Sequence, residues 1–193
     1  MLVNATRRTL LLALLALLST SAAGPALAVS DQLRTGDVVF RLGAVDVITD
    51  LIVRFSPLPP AARRWSHVGV VVGATNGNAL IAHALENGVV LESAAEFTRP
   101  ARAWAAVRPP AGVYADRIGA RAGALLGRGF DKNLLLSESE LIYCTELLVL
   151  ALDAADAPVN WTLMRVPFFA EKALHPDSAW QDLLRAGWTA LRH

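Results

Sequence analysis

Between Ser66 and Leu85 the chain reads SHVGVVVGATNGNALIAHAL. Two apolar runs rich in β-branched and small residues flank Asn76-Gly77-Asn78, a sequence suited to a tight turn with positive φ. The stretch predicts a β-hairpin and makes its two strands neighbours. Each strand carries a histidine: His67 opens the first and His83 lies within the second. The two imidazoles share a face only in one of the possible registers, and register is not readable from these residues.

The flanking segments extend this hairpin into a sheet with helices. GDVVF (36–40) reads as a strand, AVDVITDLIVRF (44–55) as a short helix, and SPLPPAARR as an exposed loop. GVVLES and RAWAAVRPP read as further strands, with Ser93 and Glu96 spaced as a capping box between them. YADRIGARAGALLG (114–127) is amphipathic and ends in glycine, as a helix should. Ser137 and Glu140 are spaced as a second capping box, opening a helix expected to run to about Ala154. The tail from Trp161 to His193 reads as short helical pieces. A strand, a helix, a run of antiparallel strands and then helices argue an α+β fold with helices packed on a small antiparallel sheet.

The first 28 residues stand apart. Arg7 and Arg8 precede an apolar run, which closes on Ala26-Leu27-Ala28. This is the pattern of a secretory signal cleaved after Ala28, and its apolar core is shorter than the ~20 residues of a spanning helix. The expectation is an exported protein, periplasmic or secreted, with residues 29–193 forming a single domain and no membrane association required after cleavage. The formal net charge is +1 and the basic residues are scattered, which argues against a nucleic-acid partner.

Cys144 is the only cysteine in the chain, so it cannot make an internal disulfide. It sits near the expected start of the helix in ESELIYCTELLVLAL, where backbone N–H groups favour an anion. A cysteine hydrolase needs a thiol beside a base, and a third group to orient that base. Cys144, His67 and His83 can supply these three. Each has an ordinary alternative: a small core residue for the cysteine, a hydrogen-bonded structural residue for either histidine. His175 and His193 belong to the tail. There is no second cysteine and no H-x₃₋₅-H pair, so neither a metal site nor a cofactor is expected. On these residues alone, enzyme and inert domain both stay open.

TGDVVF, WSHVGVVVG, IAHALENGVVLESAAEF and FDKN…YCTELLVLAL occur in that order. The arrangement resembles the circularly permuted branch of the NlpC-type papain-like superfamily, and more closely its YiiX/YebB-like group; lecithin-retinol acyltransferase belongs to the same branch. The resemblance covers roughly Thr35 to Leu152. It implies a permuted papain-like fold, a sheet or half-barrel packed against the helix that carries the cysteine. It also implies Cys144 as nucleophile, His67 as base and His83 as the third polar residue, where the bacterial members more often carry Glu. Glu86 is a fallback orienter, although its odd offset from His83 points it to the opposite strand face. Tyr143 is implied near the oxyanion and Asp131 near the pocket; a core aromatic and a loop-stabilising aspartate are the structural alternatives. Asp37 is expected to shape the start of its strand, and Glu146 to lie off the catalytic face. The function implied is hydrolysis of an amide, of a peptide or a cell-wall fragment, or of an ester, through an acyl-enzyme. The alternatives are an acyltransferase or lipid-directed thioesterase-like enzyme, and a non-catalytic binding module for peptidoglycan or lipid fragments. A cell-wall substrate favours Arg63 and Arg64 at the pocket rim, whereas an acyl substrate wants an apolar groove.

Overall fold

The structure is a computed structural model that describes residues 32–136, 140–157, 159–167 and 169–191. The expected signal segment, Ser137 and His193 lie outside the described residues.

Strands β1 (Val38–Leu42), β2 (His67–Thr75), β3 (Asn78–Leu85), β4 (Gly88–Ser93), β5 (Ala103–Arg108) and β8 (Thr189–Leu191) form one six-stranded sheet in the order β4-β3-β2-β1-β5-β8. Every neighbouring pair is antiparallel. Asn76 (φ 51°) and Gly77 (φ 77°) form the β2–β3 turn, both in the left-handed region that the Asn-Gly pair tolerates. The fold is α+β, as the alternation of patterns predicts.

Residue alternation divides the core between the two faces of the sheet. Val38, Phe40, Val68, Val70, Ala82 and Val107 point to one face. There they meet helices α3 (Ala115–Ala124), α4 (Cys144–Asp153) and α5 (Pro176–Arg185) through Ile118, Leu147, Leu148, Ala151 and Leu183. Val39, Val71, Ile81 and Ala106 point to the other face, covered by Phe97 of the short helix α2 (Ala94–Thr98). Ser93 and Glu96 cap α2 reciprocally, as their spacing predicts. Burying each large aliphatic side chain is worth about 1.5–3 kcal/mol, so α4 is held firmly with its first turn at the sheet's end.

Two expectations are corrected. The cysteine helix begins at Cys144, not near Ser137. The preceding segment is extended because Ile142 N–H donates to Gly129 O (2.9 Å) and Leu141 bridges Gly129, so this backbone is already paired. The tail is not only helical: β6 (Leu163–Arg165) and β7 (Lys172–Leu174) form a separate hairpin before α5, and β8 completes the sheet edge. Trp180 of α5 packs edge-on against Phe40 (5.2 Å) and beside Trp65 (5.3 Å). Trp188 is buried, and Trp161 packs against the same core.

Candidate active site

The β2–β3 ladder begins at the turn with Thr75 opposite Asn78. Carried back unchanged, that register sets His83 opposite Val70 and puts the two histidines on opposite faces. A bulge between Val71 and Gly73 inserts one residue, so that Val70 pairs with Ala82 instead. The register now brings His83 across from Gly69 and onto the face of His67. Gly69 leaves the space between them: a Cβ there would lie 2.5 Å from Ile81 Cγ2 and 3.1 Å from His83 Cβ. The rings meet edge to face, with His67 Nε2 2.9 Å from His83 Nδ1.

Glu92 continues the chain on β4. It is two residues beyond Val90, the cross-strand partner of His83, and therefore shares its face. Its Oε2 lies 3.1 Å from His83 Nε2, an ion-pair contact that is not aligned as a hydrogen bond. His83 is fully buried, whereas the Glu92 side chain is 30 % exposed, so the carboxylate links a buried imidazole to solvent. A proton on His83 Nε2 faces this carboxylate and leaves His83 Nδ1 as acceptor. His67 Nε2–H then donates to His83, and the lone pair of His67 is at Nδ1.

Arg41 faces the same constellation from β1, directly opposite His67 in register. Its Nη1 donates to Phe97 O (2.6 Å), and its guanidinium lies 4.6 Å from the Phe97 ring centroid. The same ring contacts both histidines, at 5.8 and 5.0 Å between centroids. Burial, followed by the positive charge of Arg41, lowers His67 well below the usual histidine value and His83 to about 4. Both imidazoles are neutral near pH 7.

Cys144 is the first residue of α4, half-buried. N–H groups of Val68, Thr145 and Cys144 itself favour the thiolate, as does the charge of Arg41. Burial outweighs them and pushes the thiol up to about 11. The sulfur lies against the N–H of the residue after His67, where the β2–β3 ladder has not yet begun. Burial therefore favours the neutral form of the thiol and of both imidazoles.

The structure places the other expected residues as follows. Tyr143 is buried; its hydroxyl accepts from Leu174 N–H (3.3 Å), and burial raises its pKa. Its backbone N–H donates to Glu146 (3.2 Å), so Glu146 caps α4 instead of entering the site. Asp131 is fully buried and accepts from the N–H groups of Asn133 (2.7 Å) and Leu135, which organises its own loop and leaves it off the groove described below. Asp37 is held bidentately by Arg108 (2.9 and 2.8 Å). Glu86 is exposed in the β3–β4 turn beside Lys132 (3.9 Å), away from the histidines; the carboxylate beside His83 is that of Glu92.

A groove of about 450 Å³ opens onto Cys144, Tyr143, Thr145 and Ser66. Ile48, Leu51, Ile52 and Phe55 of helix α1 (Val47–Phe55) form one wall, and Met164, Val166, Pro167 and Phe169 from the β6–β7 region contribute to the other. Its lining is overwhelmingly apolar, and neither Arg63 nor Arg64 contributes to it. Arg63 is engaged with Leu58 O (2.9 Å) and Arg54 O (3.0 Å). The tail ties the walls together. His175 Nε2 lies 2.8 Å from Ile52 O, and its Nδ1 accepts from Asp177 N–H (3.0 Å). The buried Asp177 carboxylate accepts from Ser56 Oγ (2.6 Å) and from the N–H groups of Arg64 (3.0 Å) and Trp65 (2.8 Å). It thereby fixes the chain just before His67.

No protein-family model matches this chain, and no curated protein matches it in sequence. Among solved structures it is similar to the metalloprotein YiiX from Escherichia coli O157:H7, with a TM-score of 0.67 and 14% identity, over 83% of this chain and 97% of YiiX. The chain has a YiiX-like fold.

Proposed function

We propose that this chain is an exported thiol hydrolase of the permuted NlpC-type, papain-like kind, acting through an acyl-enzyme on Cys144. The observation that carries the reading is the continuous relay His67–His83–Glu92, together with a cysteine at a helix N-terminus whose sulfur lies against the N–H of Val68, the residue that follows His67. His67 Nδ1 takes the thiol proton as Sγ attacks the carbonyl carbon and the C–S bond forms. The C–O or C–N bond to the leaving group then breaks, and the leaving group takes the proton from His67. Water then attacks the acyl-enzyme as His67 takes its proton, the C–S bond breaks to release the carboxylic acid, and the proton passes from His67 back to the Cys144 sulfur. The Cys144 N–H is the donor for the developing oxyanion. His83 holds the His67 tautomer, and Glu92 holds that of His83. Because burial favours the neutral thiol, its proton leaves in concert with attack.

The groove favours an apolar acyl substrate over a charged cell-wall peptide, because the described residues that line it carry no carboxylate, ammonium or guanidinium group. YiiX is described as a metalloprotein. Among the described residues of this chain, no group of three His, Cys, Asp or Glu side chains is arranged to hold an ion, and His67 Nε2 and His83 Nδ1 are turned on each other. These residues do not fit a resident metal, and no step is routed through one.

The test uses p-nitrophenyl esters of short and long acyl chains and a peptide amide, with intact-mass detection of the protein. Acyl adducts on Cys144, lost in His67→Ala, are expected, with the longer esters reacting faster. Absence of both adduct and turnover on every substrate, with bound ligand still retained, assigns the fold to a binding module.

A further inference from the structure

Helix α1 is built the wrong way round for a helix that serves only packing. Its one buried residue is Thr49, whose N–H and hydroxyl bond to the N-cap Asp46 (2.8 and 3.0 Å). Its large apolar side chains face outward: Val47 is 75 % and Ile48 68 % exposed, Val45 just before it is 77 % exposed, and Leu51 and Phe55 are also exposed. Clustered exposed apolar residues on one short helix mark a surface that meets something apolar. This helix is also a wall of the groove that leads to Cys144, so whatever meets it also meets the groove mouth.

The charges around the groove say what that surface is. Arg54 lies in the last turn of α1, and Arg64 is exposed in the loop that follows. On the β6–β7 hairpin, Arg165 stands directly opposite Lys172, both exposed and, by strand alternation, on the face away from Met164, Val166 and Ala173, which line the groove. Directly opposed like charges on a two-stranded hairpin repel, and an anion between them relieves that repulsion. The acidic groups of α1 are engaged: Asp46 caps the helix and Asp50 pairs with Arg102 (3.5 Å). Exposed apolar side chains with cations on the outer flanks of the two elements that wall the groove match an interfacial layer of acyl chains beside anionic headgroups.

We propose that α1 and the β6–β7 hairpin dock on the surface of an anionic lipid bilayer, so that an acyl chain passes from the bilayer directly into the groove. No helix among the described residues is long and apolar enough to cross a membrane, so the contact is peripheral. This runs against the sequence expectation that no membrane contact is required. Its purpose rests on the acyl-hydrolase reading, but its test does not.

The experiment uses full-length Cys144→Ser, which removes the native thiol and all catalysis, with a single new cysteine carrying an environment-sensitive dye. Val47→Cys reports on α1, and Asn78→Cys reports on the far end of the β2–β3 hairpin. Vesicles are phosphatidylcholine alone, or with phosphatidylglycerol. The expected result is a blue shift at position 47 and none at 78, strong only with phosphatidylglycerol and reduced by salt. Ile48→Ser with Leu51→Ser in the otherwise native chain should weaken vesicle cosedimentation by roughly tenfold or more. Four outcomes overturn the proposal: no shift at 47, equal shifts at both positions, an already blue-shifted signal without vesicles, or a vesicle-independent shift that grows with protein concentration. The last assigns the face to self-association. None of these outcomes depends on whether Cys144 is a nucleophile.

Discussion

Acid should unfold this protein through its histidine pair, and His83 sets the size of the effect. Its folded-state pKa is lowered to about 4, against an ordinary value of 6.5. The ring is fully buried, so little solvent screening discounts the shift. A depressed pKa means that the unfolded chain binds the proton more readily. The stabilisation is therefore complete above pH 6.5 and is lost as pH falls toward 4. At pH 4 the loss from His83 alone is about 3 kcal/mol, a large share of a small domain's stability. His67 is displaced in the same direction and adds to it. Urea denaturation of wild type and His83→Gln at pH 7.5, 6, 5 and 4 measures the effect. Carboxylates titrate in both proteins, so the difference between the two curves isolates the imidazole. The gap should narrow or reverse on acidification, because glutamine has nothing to protonate. Parallel curves across the range would refute a His83 that is buried and neutral in the fold.

Glu92→Gln should slow acylation of Cys144 by roughly tenfold by weakening the hold on the His83 tautomer, whereas Glu86→Gln should leave it unchanged; single-turnover acylation with a p-nitrophenyl ester compares them. Gly69→Ala should cost about 1–3 kcal/mol in urea denaturation, because its Cβ would meet Ile81 at 2.5 Å and crowd His83. Iodoacetamide labelling of Cys144 should be slow at pH 7 and climb toward about pH 11, since burial opposes ionisation of the free thiol; rapid labelling below pH 7 would mean a preformed thiolate–imidazolium pair.

The hairpin, the α2 capping box and the α+β class were legible because each rests on local chemistry: Asn-Gly turn geometry, Ser93–Glu96 spacing, β-branched runs. The pairing of His67 with His83 was legible only as a possibility. It depends on one bulged residue in VVVG, and nothing in four similar small residues marks which of them is extra. Glu92 escaped for the same reason, since its facing relation to His83 follows from register and not from spacing along the chain. Glu86 drew attention instead because it is nearer in sequence. Arg41 and Phe97 come from separate segments and meet the histidines only through the β1–β2 register and the α2 cap. The tail was the least legible part, because its ordering depends on contacts more than a hundred residues away, as Asp177 shows. Tyr143 and Asp131 were each read two ways. The hydrogen bonds of Asp131 to its own loop match the structural alternative, whereas Tyr143 is both bonded to Leu174 and part of the groove lining beside Cys144.

The Asp177 clamp also sets when the pocket comes into being. A chain is made from its N-terminus, so His67, His83 and Cys144 all emerge before the carboxylate that secures the backbone leading into His67. Ser56 waits 121 residues for its partner, and until β6, β7 and α5 have followed, the groove has only one wall. Cys144 is thus synthesised before the pocket around it can close. A premature stop or a bulky fusion near the C-terminus would strike the pocket directly, although it alters none of Cys144, His67 and His83.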